Sequence, residues 1–130
     1  MLTDSTTVRL IETICLREGQ TELLSFHQQR VNRSRRQLFG IKKQLNLRTF
    51  LASQVLPSSG YHKIRIVYAK EVEECTITPY HLKPVKTMRV VNTEPFDYRH
   101  KYEDRSALDE AFSYRDGCDD IIMSWQNFIT

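Results

Sequence analysis

The chain has no hydrophobic run and no leader of the kind that would direct it to a membrane. No apolar stretch in its 130 residues approaches the roughly 20 residues that a membrane-spanning helix needs. The first residues, 1–5, do not show the basic-then-apolar order of a secretory signal peptide. Internal repeats and low-complexity segments are also missing. We therefore expect a cytoplasmic protein without a membrane partner.

Metal-binding and disulfide patterns are missing as well. The cysteines are odd in number and far apart in the sequence: Cys15, Cys75 and Cys118. Such spacing argues against a disulfide framework and against a Cys-x-x-Cys metal site. No metal-ligand spacing is found around three of the histidines, which are His62, His81 and His100. We therefore expect no metal site.

Acidic residues are absent between Arg30 and Arg48. This stretch holds seven basic residues: Arg30, Arg33, Arg35, Arg36, Lys42, Lys43 and Arg48. Residues 103–120 reverse the sign, with seven acids against two arginines, although the net charge of the whole chain is only +3. A basic stretch suits a cofactor phosphate, an acidic partner or a nucleic acid, and the asymmetry alone does not choose among them.

The N-terminal half alternates between strand and helix patterns. Residues 8–17 have period-two hydrophobicity and predict a strand, which a turn at 18–20 connects to a short strand at 21–24. Ser25 followed by Gln28 is typical of a helix start. The predicted helix has a hydrophobic seam and ends at Gly40. The seam consists of Leu24, His27, Val31, Ser34 and Leu38.

More elements complete this half. A second helix is predicted over 47–55, with Asn46 as its cap and Val55 facing inward. Strands are predicted at 62–68, 73–78 and 88–91. Residues 1–94 thus predict an α+β lobe in which an antiparallel sheet packs with two helices.

The character of the chain changes after residue 95. Residues 96–102 have no regular pattern, and a helix is predicted over 106–115 with Leu108, Ala111 and Phe112 inward. A buried strand at 121–125 and a return strand from 128 follow. Residues 95–130 therefore predict the start of a second, truncated α/β lobe, because a strand cut short as it begins to pair leaves an open edge.

Three stretches of the chain form an ordered set of motifs. The first comprises Ile11-Glu12-Thr13-Ile14, Glu18-Gly19 and His27-Gln28-Gln29-Arg30-Val31 with Ser34. The second is His100-Lys101-Tyr102-Glu103-Asp104-Arg105. The third is Gly117-Cys118-Asp119-Asp120-Ile121-Ile122, followed by Phe128-Ile129-Thr130. In this order, the three stretches resemble the N-terminal portion of the class IV pyridoxal-phosphate-dependent aminotransferase and aminodeoxychorismate lyase family, which includes branched-chain and D-amino-acid aminotransferases.

The resemblance implies a role for two of these residues. Lys101 matches the lysine that forms a Schiff base with the aldehyde of pyridoxal phosphate and then moves the α-proton of the substrate. Arg30 matches the arginine that binds the cofactor phosphate, for which a planar guanidinium fork is well suited. Ser34, one helical turn after Arg30, is expected to let the helix pack closely.

Other residues receive smaller roles. Tyr98, Tyr102 and Arg105 flank the lysine and are candidates for a substrate pocket. His27 is expected to be a packed core histidine without chemistry. Glu12, on a buried strand face, is expected to pair with an arginine of the helix for structural reasons.

The resemblance also implies a substrate, an assembly and a missing part. The substrate would be an amino acid or an aminodeoxychorismate-type compound, and the protein would be a homodimer that does not bind nucleic acid. An acidic residue that keeps the pyridine nitrogen protonated would follow Thr130, where the sequence stops, and the phosphate-binding loops would come later. We therefore expect the chain alone to be inactive or nearly so.

Two alternatives stay open. The basic stretch 30–48 could form a nucleic-acid-binding module, although it shows no recognisable nucleic-acid-binding motif. A titration without salt-dependent binding to oligonucleotides would dispose of that alternative. The chain could also be an assembly fragment that pairs with itself or with a missing C-terminal half.

Overall fold

A computed structural model describes residues 8–130, so the opening residues 1–7 of the predicted first lobe lie outside the described part. The chain divides into two compact units. Of the described residues, the first contains 8–81 together with 100–103, and the second contains 82–99 with 104–130. Within residues 8–130, no helix has both the length and the apolar character required to span a membrane.

The first unit is built on a four-stranded antiparallel sheet in the order β2-β1-β3-β4. Its strands are β1 (Leu10–Arg17), β2 (Gln20–Thr21), β3 (Tyr61–Tyr68) and β4 (Val72–Pro79). Two helices complete the unit, α1 (Leu24–Phe39) and α2 (Leu47–Ala52). The predicted α+β class, with an antiparallel sheet and two helices, is confirmed.

One face of this sheet forms the core of the unit. Alternate residues of β1 and β3 are fully buried because the pleat directs them to the same side. They pack with buried residues of α1 and α2 in a single cluster. The buried members are Leu10, Ile14, Leu16, Val31, Leu47, Leu51, Ile64, Ile66 and Tyr68.

Helix α1 begins one residue earlier than its predicted start. The N-cap is Leu23, which has a left-handed φ of 56° and no side-chain cap bond, so the predicted Ser25 cap is wrong. The same left-handed residue limits β2 to two residues, where a strand over 21–24 was predicted. Gly40 ends α1 as predicted, with a φ of 67° and its N–H donating to the Arg36 carbonyl.

Helix α2 begins as predicted and ends early. The Asn46 side chain accepts a hydrogen bond of 3.0 Å from the Thr49 N–H, which confirms the predicted cap. The helix stops at Ala52, three residues before the predicted end. Val55 is consequently 94% exposed, so its predicted inward position is wrong.

The second unit is a small mixed sheet with one helix. Strands β5 (Met88–Asn92) and β6 (Asp120–Trp125) pair in parallel, and β7 (Phe128–Ile129) pairs antiparallel with β6. Helix α3 (Ser106–Ser113) lies between β5 and β6 in sequence, as a parallel connection requires. The prediction that residues 88–91 join the first sheet is therefore wrong. The predicted domain boundary at 94/95 stays a prediction.

Burial in the second unit is lower than expected. All six residues of β6 are half-buried, where a buried strand was predicted. On α3, Ala111 is buried as predicted, but Phe112 is exposed. The hydrophobic pattern therefore located the helix and strands of this unit, but it overestimated how far their side chains are buried.

The buried guanidinium of Arg35 should stabilise the first unit. It donates to the Lys43 carbonyl at 2.7 Å and to the Lys70 carbonyl at 2.6 Å, and so joins the loop after α1 to the end of β3. Arg35→Ala should lower the free energy of unfolding by about 2–3 kcal/mol, because hydrogen bonds to a charged group are lost and two carbonyls lose their donor. Urea unfolding measures this. Arg36→Ala, at an exposed neighbour, should change stability by less than about 0.5 kcal/mol. Equal losses in the two variants would contradict the assignment.

Candidate functional site

The segment 100–103 lies against the start of β1. The N–H of Ile11 donates to the carbonyl of Lys101 at 2.9 Å. Leu10 and Tyr102 form an antiparallel bridge. Because β1 is an inner strand of the sheet and its first residues are buried, this pairing attaches the lysine segment to the buried part of the first unit.

Lys101 itself has an unusual backbone conformation. Its φ of 55° lies in the left-handed region, which costs a residue with a side chain roughly 1–2 kcal/mol. On its C-terminal side, the N–H of Glu103 donates to the Arg9 carbonyl at 2.8 Å. Such a conformation persists only where neighbouring contacts hold it, and it often marks functional segments. The Lys101 side chain is half-buried.

A buried hydrogen bond holds the N-terminal side of Lys101. The Ser34 Oγ lies 2.7 Å from the Nδ1 of His100, and both residues are buried. The His100 ring also meets the Tyr102 ring edge-on, with centroids 6.0 Å apart. Helix α1 is thereby connected to the residue that directly precedes Lys101.

Arg30 pairs with a fully buried carboxylate. The Glu12 oxygens accept from Arg30 Nε and Nη2, each at 2.7 Å, and one of them lies 2.6 Å from the Nδ1 of His27. The expected structural pairing of Glu12 with a helix arginine is confirmed. His27 is half-buried, and its ring nitrogen contacts the Glu12 carboxylate. It therefore does not have the purely packing role that was expected.

The pKa of Glu12 reflects this pairing. Burial opposes ionisation and is the largest single influence on the carboxyl group, but it is outweighed by the hydrogen bonds and charges of His27 and Arg30. The pKa therefore lies below its ordinary value of 4.5, and the carboxylate stays ionised at neutral pH.

Tyr68 completes the polar groups beneath α1. Burial raises the pKa of its hydroxyl, and the negative charge of Glu12 raises it further, while Ser34 and Arg30 act in the opposite direction. The hydroxyl therefore stays protonated at neutral pH. We refer to Glu12, Arg30, Ser34, Tyr68 and His100 as the polar layer.

Arg30 also lines a surface pocket of about 270 Å³. Arg33, one helical turn away, lines the same pocket and is exposed. The pocket thus has two guanidinium groups, of which one is neutralised by Glu12, so its charge favours an anion. The remaining lining residues are Leu23, Phe26, His27 and Gln29.

The predicted site residues fall in both units. Lys101, Tyr102 and Arg30 belong to the first unit, whereas Tyr98 and Arg105 belong to the second. Tyr98 and Tyr102 are half-buried. Arg105 is exposed and precedes α3, where its carbonyl accepts from the N–H of Asp109. The substrate-pocket assignment for Tyr98, Tyr102 and Arg105 stays a prediction.

Two features of the site were missed in the sequence. His100 was assigned no role, although it belongs to the second stretch of the resemblance, and Ser34 was assigned a packing role, although the two residues form a hydrogen bond. No local signal links residues 66 positions apart.

Comparison with known proteins gives a consistent result. No protein-family model matches the chain. A crystal structure from Haemophilus somnus 129pt, of a protein provisionally assigned as a 4-amino-4-deoxychorismate lyase, superposes with a TM-score of 0.82 at 29% identity over 95% of this chain and 66% of that one. An uncharacterised protein of Haemophilus influenzae is 29% identical over 117 residues, which are 88% of this chain and 62% of the relative.

More distant structures share the fold. A hypothetical aminotransferase from Mycobacterium tuberculosis, in its pyridoxal-phosphate-bound form, has a TM-score of 0.62 at 16% identity, over 92% of this chain and 52% of that one. Its apo form has a TM-score of 0.64 at 13% identity, over 98% and 58%. The chain thus spans less than two thirds of the length of each of these relatives.

The depressed pKa of Glu12 predicts how stability depends on pH. The ionised carboxylate contributes stability above the unfolded pKa of about 4.5, and this contribution is lost as the pH falls through the lower folded value. Glu12→Gln should therefore be less stable than the wild type by roughly 2–3 kcal/mol at pH 7, and the difference should shrink below pH 4.5.

Urea unfolding from pH 7 downward measures this difference. Glu22→Gln serves as the control because Glu22 pairs with Arg17 on the surface, where such pairs contribute little. A gap between wild type and Glu12→Gln that stays constant with pH would show that the Glu12 charge is not involved.

Proposed function

Because the chain has the fold of class IV pyridoxal-phosphate-dependent aminotransferases, we propose that it carries pyridoxal phosphate on Lys101 and acts as an aminotransferase or a 4-amino-4-deoxychorismate lyase. The observation that carries the proposal is the position of Lys101. The lysine matching the family motif follows a buried residue and lies in the same unit as the helix that contains Arg30. The similarity to the Haemophilus somnus protein supports the assignment.

Lys101 has the properties that attachment of an aldehyde needs. Lys101 is half-buried, and its side chain ends in a primary amine, which is the group that condenses with an aldehyde. Its backbone is held on one side by His100 and on the other by pairing with β1. The Nζ atom is the group that would then take up the α-proton of the substrate.

Arg30 has the chemistry that a phosphate needs. A guanidinium carries five N–H donors in one plane, and Glu12 uses two of them. The same pairing fixes the plane of the fork, which lowers the cost of ordering it around an anion. Arg33 adds positive charge to the pocket beside Arg30. The residues present therefore fit the phosphate end of the cofactor.

The reaction class follows from the cofactor. When bound, pyridoxal phosphate supplies an aldehyde for an amine and a ring that accepts electrons as the α-proton leaves. Transamination and aminodeoxychorismate cleavage share that proton removal, so we propose an amino-acid-type substrate without choosing between them. Turnover is proposed for the full length found in the relatives, since this chain matches 66% and 62% of the first two.

Assembly and location are proposals that depend on the resemblance. We propose a homodimer in the cytoplasm, as the family resemblance implies. Size-exclusion chromatography that gave a monomer at high protein concentration would count against the dimer.

Covalent attachment tests the proposal directly. The chain mixed with pyridoxal phosphate should develop a visible absorbance band, and reduction with borohydride should leave the cofactor on the peptide that contains Lys101. Lys101→Ala should abolish both signals, because only a primary amine can hold the aldehyde. Lys42→Ala, at an exposed lysine, is the control and should keep them. A folded wild-type chain with neither signal would remove the cofactor from the proposal.

The phosphate role of Arg30 makes a separate prediction. Arg30→Lys should weaken cofactor attachment roughly tenfold, because the charge remains and the planar fork is lost. Titration of the absorbance band measures the affinity. With pyridoxal, which has no phosphate, wild type and Arg30→Lys should differ little. A similar loss with both aldehydes would show that Arg30 acts only on the fold, and Arg36→Lys controls for a general effect of replacing an arginine of α1 by lysine.

A further inference from the structure

Main-chain and side-chain contacts hold the segment around Lys101. After Lys101, the main-chain pairing with the start of β1 is joined by side-chain contacts, because Tyr102 packs against the core and Glu103 pairs with Arg9 at 3.3 Å. Among residues 96–100, which directly precede Lys101, only His100 is buried, with 3% exposure. Its imidazole contacts the hydroxyl of Ser34 at 2.7 Å and the ring of Tyr102.

Ser34 is well placed to act as an anchor. It is fully buried on α1, one helical turn after Arg30 and therefore on the same helix face. A serine hydroxyl inside a helix has little conformational freedom, because its side chain has one rotatable bond before the oxygen. The hydrogen bond to His100 therefore fixes the imidazole relative to the helix that carries Arg30.

We propose that the buried Ser34–His100 hydrogen bond is a positioning device that holds the lysine segment in register with α1 and so sets the reactivity of the Lys101 amine. Ser34 and His100 act through the backbone and touch neither the substrate nor the cofactor. The part of this inference that concerns the cofactor rests on the proposed function.

The left-handed φ of Lys101 explains why such a device is needed. A lysine at a φ of 55° relaxes toward the ordinary regions when its neighbours loosen, and its side chain then points elsewhere. Loss of the imidazole contact removes a buried side-chain restraint on the N-terminal side, while the pairing of residues 101–103 with β1 can persist. The Lys101 amine would become more accessible to solvent and less well positioned relative to α1.

Two pairs of variants separate positioning from simple packing. Ser34→Ala removes the hydroxyl, and Ser34→Thr retains it. His100→Phe keeps a ring that can meet Tyr102 and loses the ring nitrogen, whereas His100→Asn keeps a polar nitrogen or oxygen at the δ position. Ser53→Ala is the matched control, because its hydroxyl donates to the Phe50 carbonyl at an exposed helix end.

The first measurement uses the chain without cofactor. A limiting amount of an amine-acylating reagent is added, and mass spectrometry compares labelling of Lys101 with labelling of the exposed Lys42 in the same molecule. Ser34→Ala and His100→Phe should raise the relative labelling of Lys101 several-fold, because the amine is released. Ser53→Ala should leave the ratio unchanged.

The second measurement is attachment of pyridoxal phosphate, followed by absorbance and by borohydride reduction. The affinity should fall roughly tenfold in Ser34→Ala and His100→Phe, which is the factor that one net hydrogen bond supplies. His100→Asn should retain most of the wild-type affinity for pyridoxal phosphate. Urea unfolding of each variant shows whether the loss follows stability. The Ser53→Ala control should retain wild-type attachment.

The results of the two measurements can support or overturn the proposed positioning role. Unchanged labelling and attachment in Ser34→Ala and His100→Phe would overturn the proposal. If Ser34→Ala does not fold, the His100→Phe and His100→Asn pair decides, and equal loss in both would overturn it as well. A wild-type chain that never attaches the cofactor would remove the proposed function, while the labelling ratio in the cofactor-free chain would still test the positioning of Lys101.

Discussion

The hydrogen bond between Ser34 and His100 is the interaction on which the arrangement of the site depends. It joins residues 66 positions apart and connects helix α1 with the segment 100–103, which returns to the first unit after an excursion into the second. A buried polar pair of this kind costs free energy when either partner is removed, because the other is left without its partner away from water. The proposed positioning of Lys101 relative to helix α1 depends on this connection.

The polar layer also explains how a basic helix packs on a hydrophobic sheet. Glu12 has no exposed surface, and its charge balances the guanidinium of Arg30, so the helix brings a cation to the sheet without leaving it unpaired. The two terminal nitrogens of the Arg35 guanidinium donate instead to carbonyl groups of two loops. The apolar core carries the burial energy, and these polar contacts determine how α1 is oriented on the sheet.

The sequence predicted the helices and strands more accurately than it predicted strand pairing and side-chain contacts. Alternating hydrophobicity identified β1, β3 and the class of the first unit, and Asn46 and Gly40 marked helix ends because their roles are local. The start of α1 was missed because it depends on a left-handed leucine, and β5 was assigned to the wrong sheet because strand pairing is non-local. The motif indicated Lys101 and Arg30. The pairing of Glu12 with Arg30 was expected, but the hydrogen bond of His100 required the fold.

If these contacts hold the site, the lysine segment unfolds together with the core of the first unit. Native-state hydrogen exchange of the Ile11 and Glu103 amides, which donate to the Lys101 and Arg9 carbonyls, measures this. Both amides should exchange only through the same opening that exposes the amides pairing β1 with β3. Exchange of these two amides through a separate, low-energy opening would contradict it, since the segment would then not be held by the core.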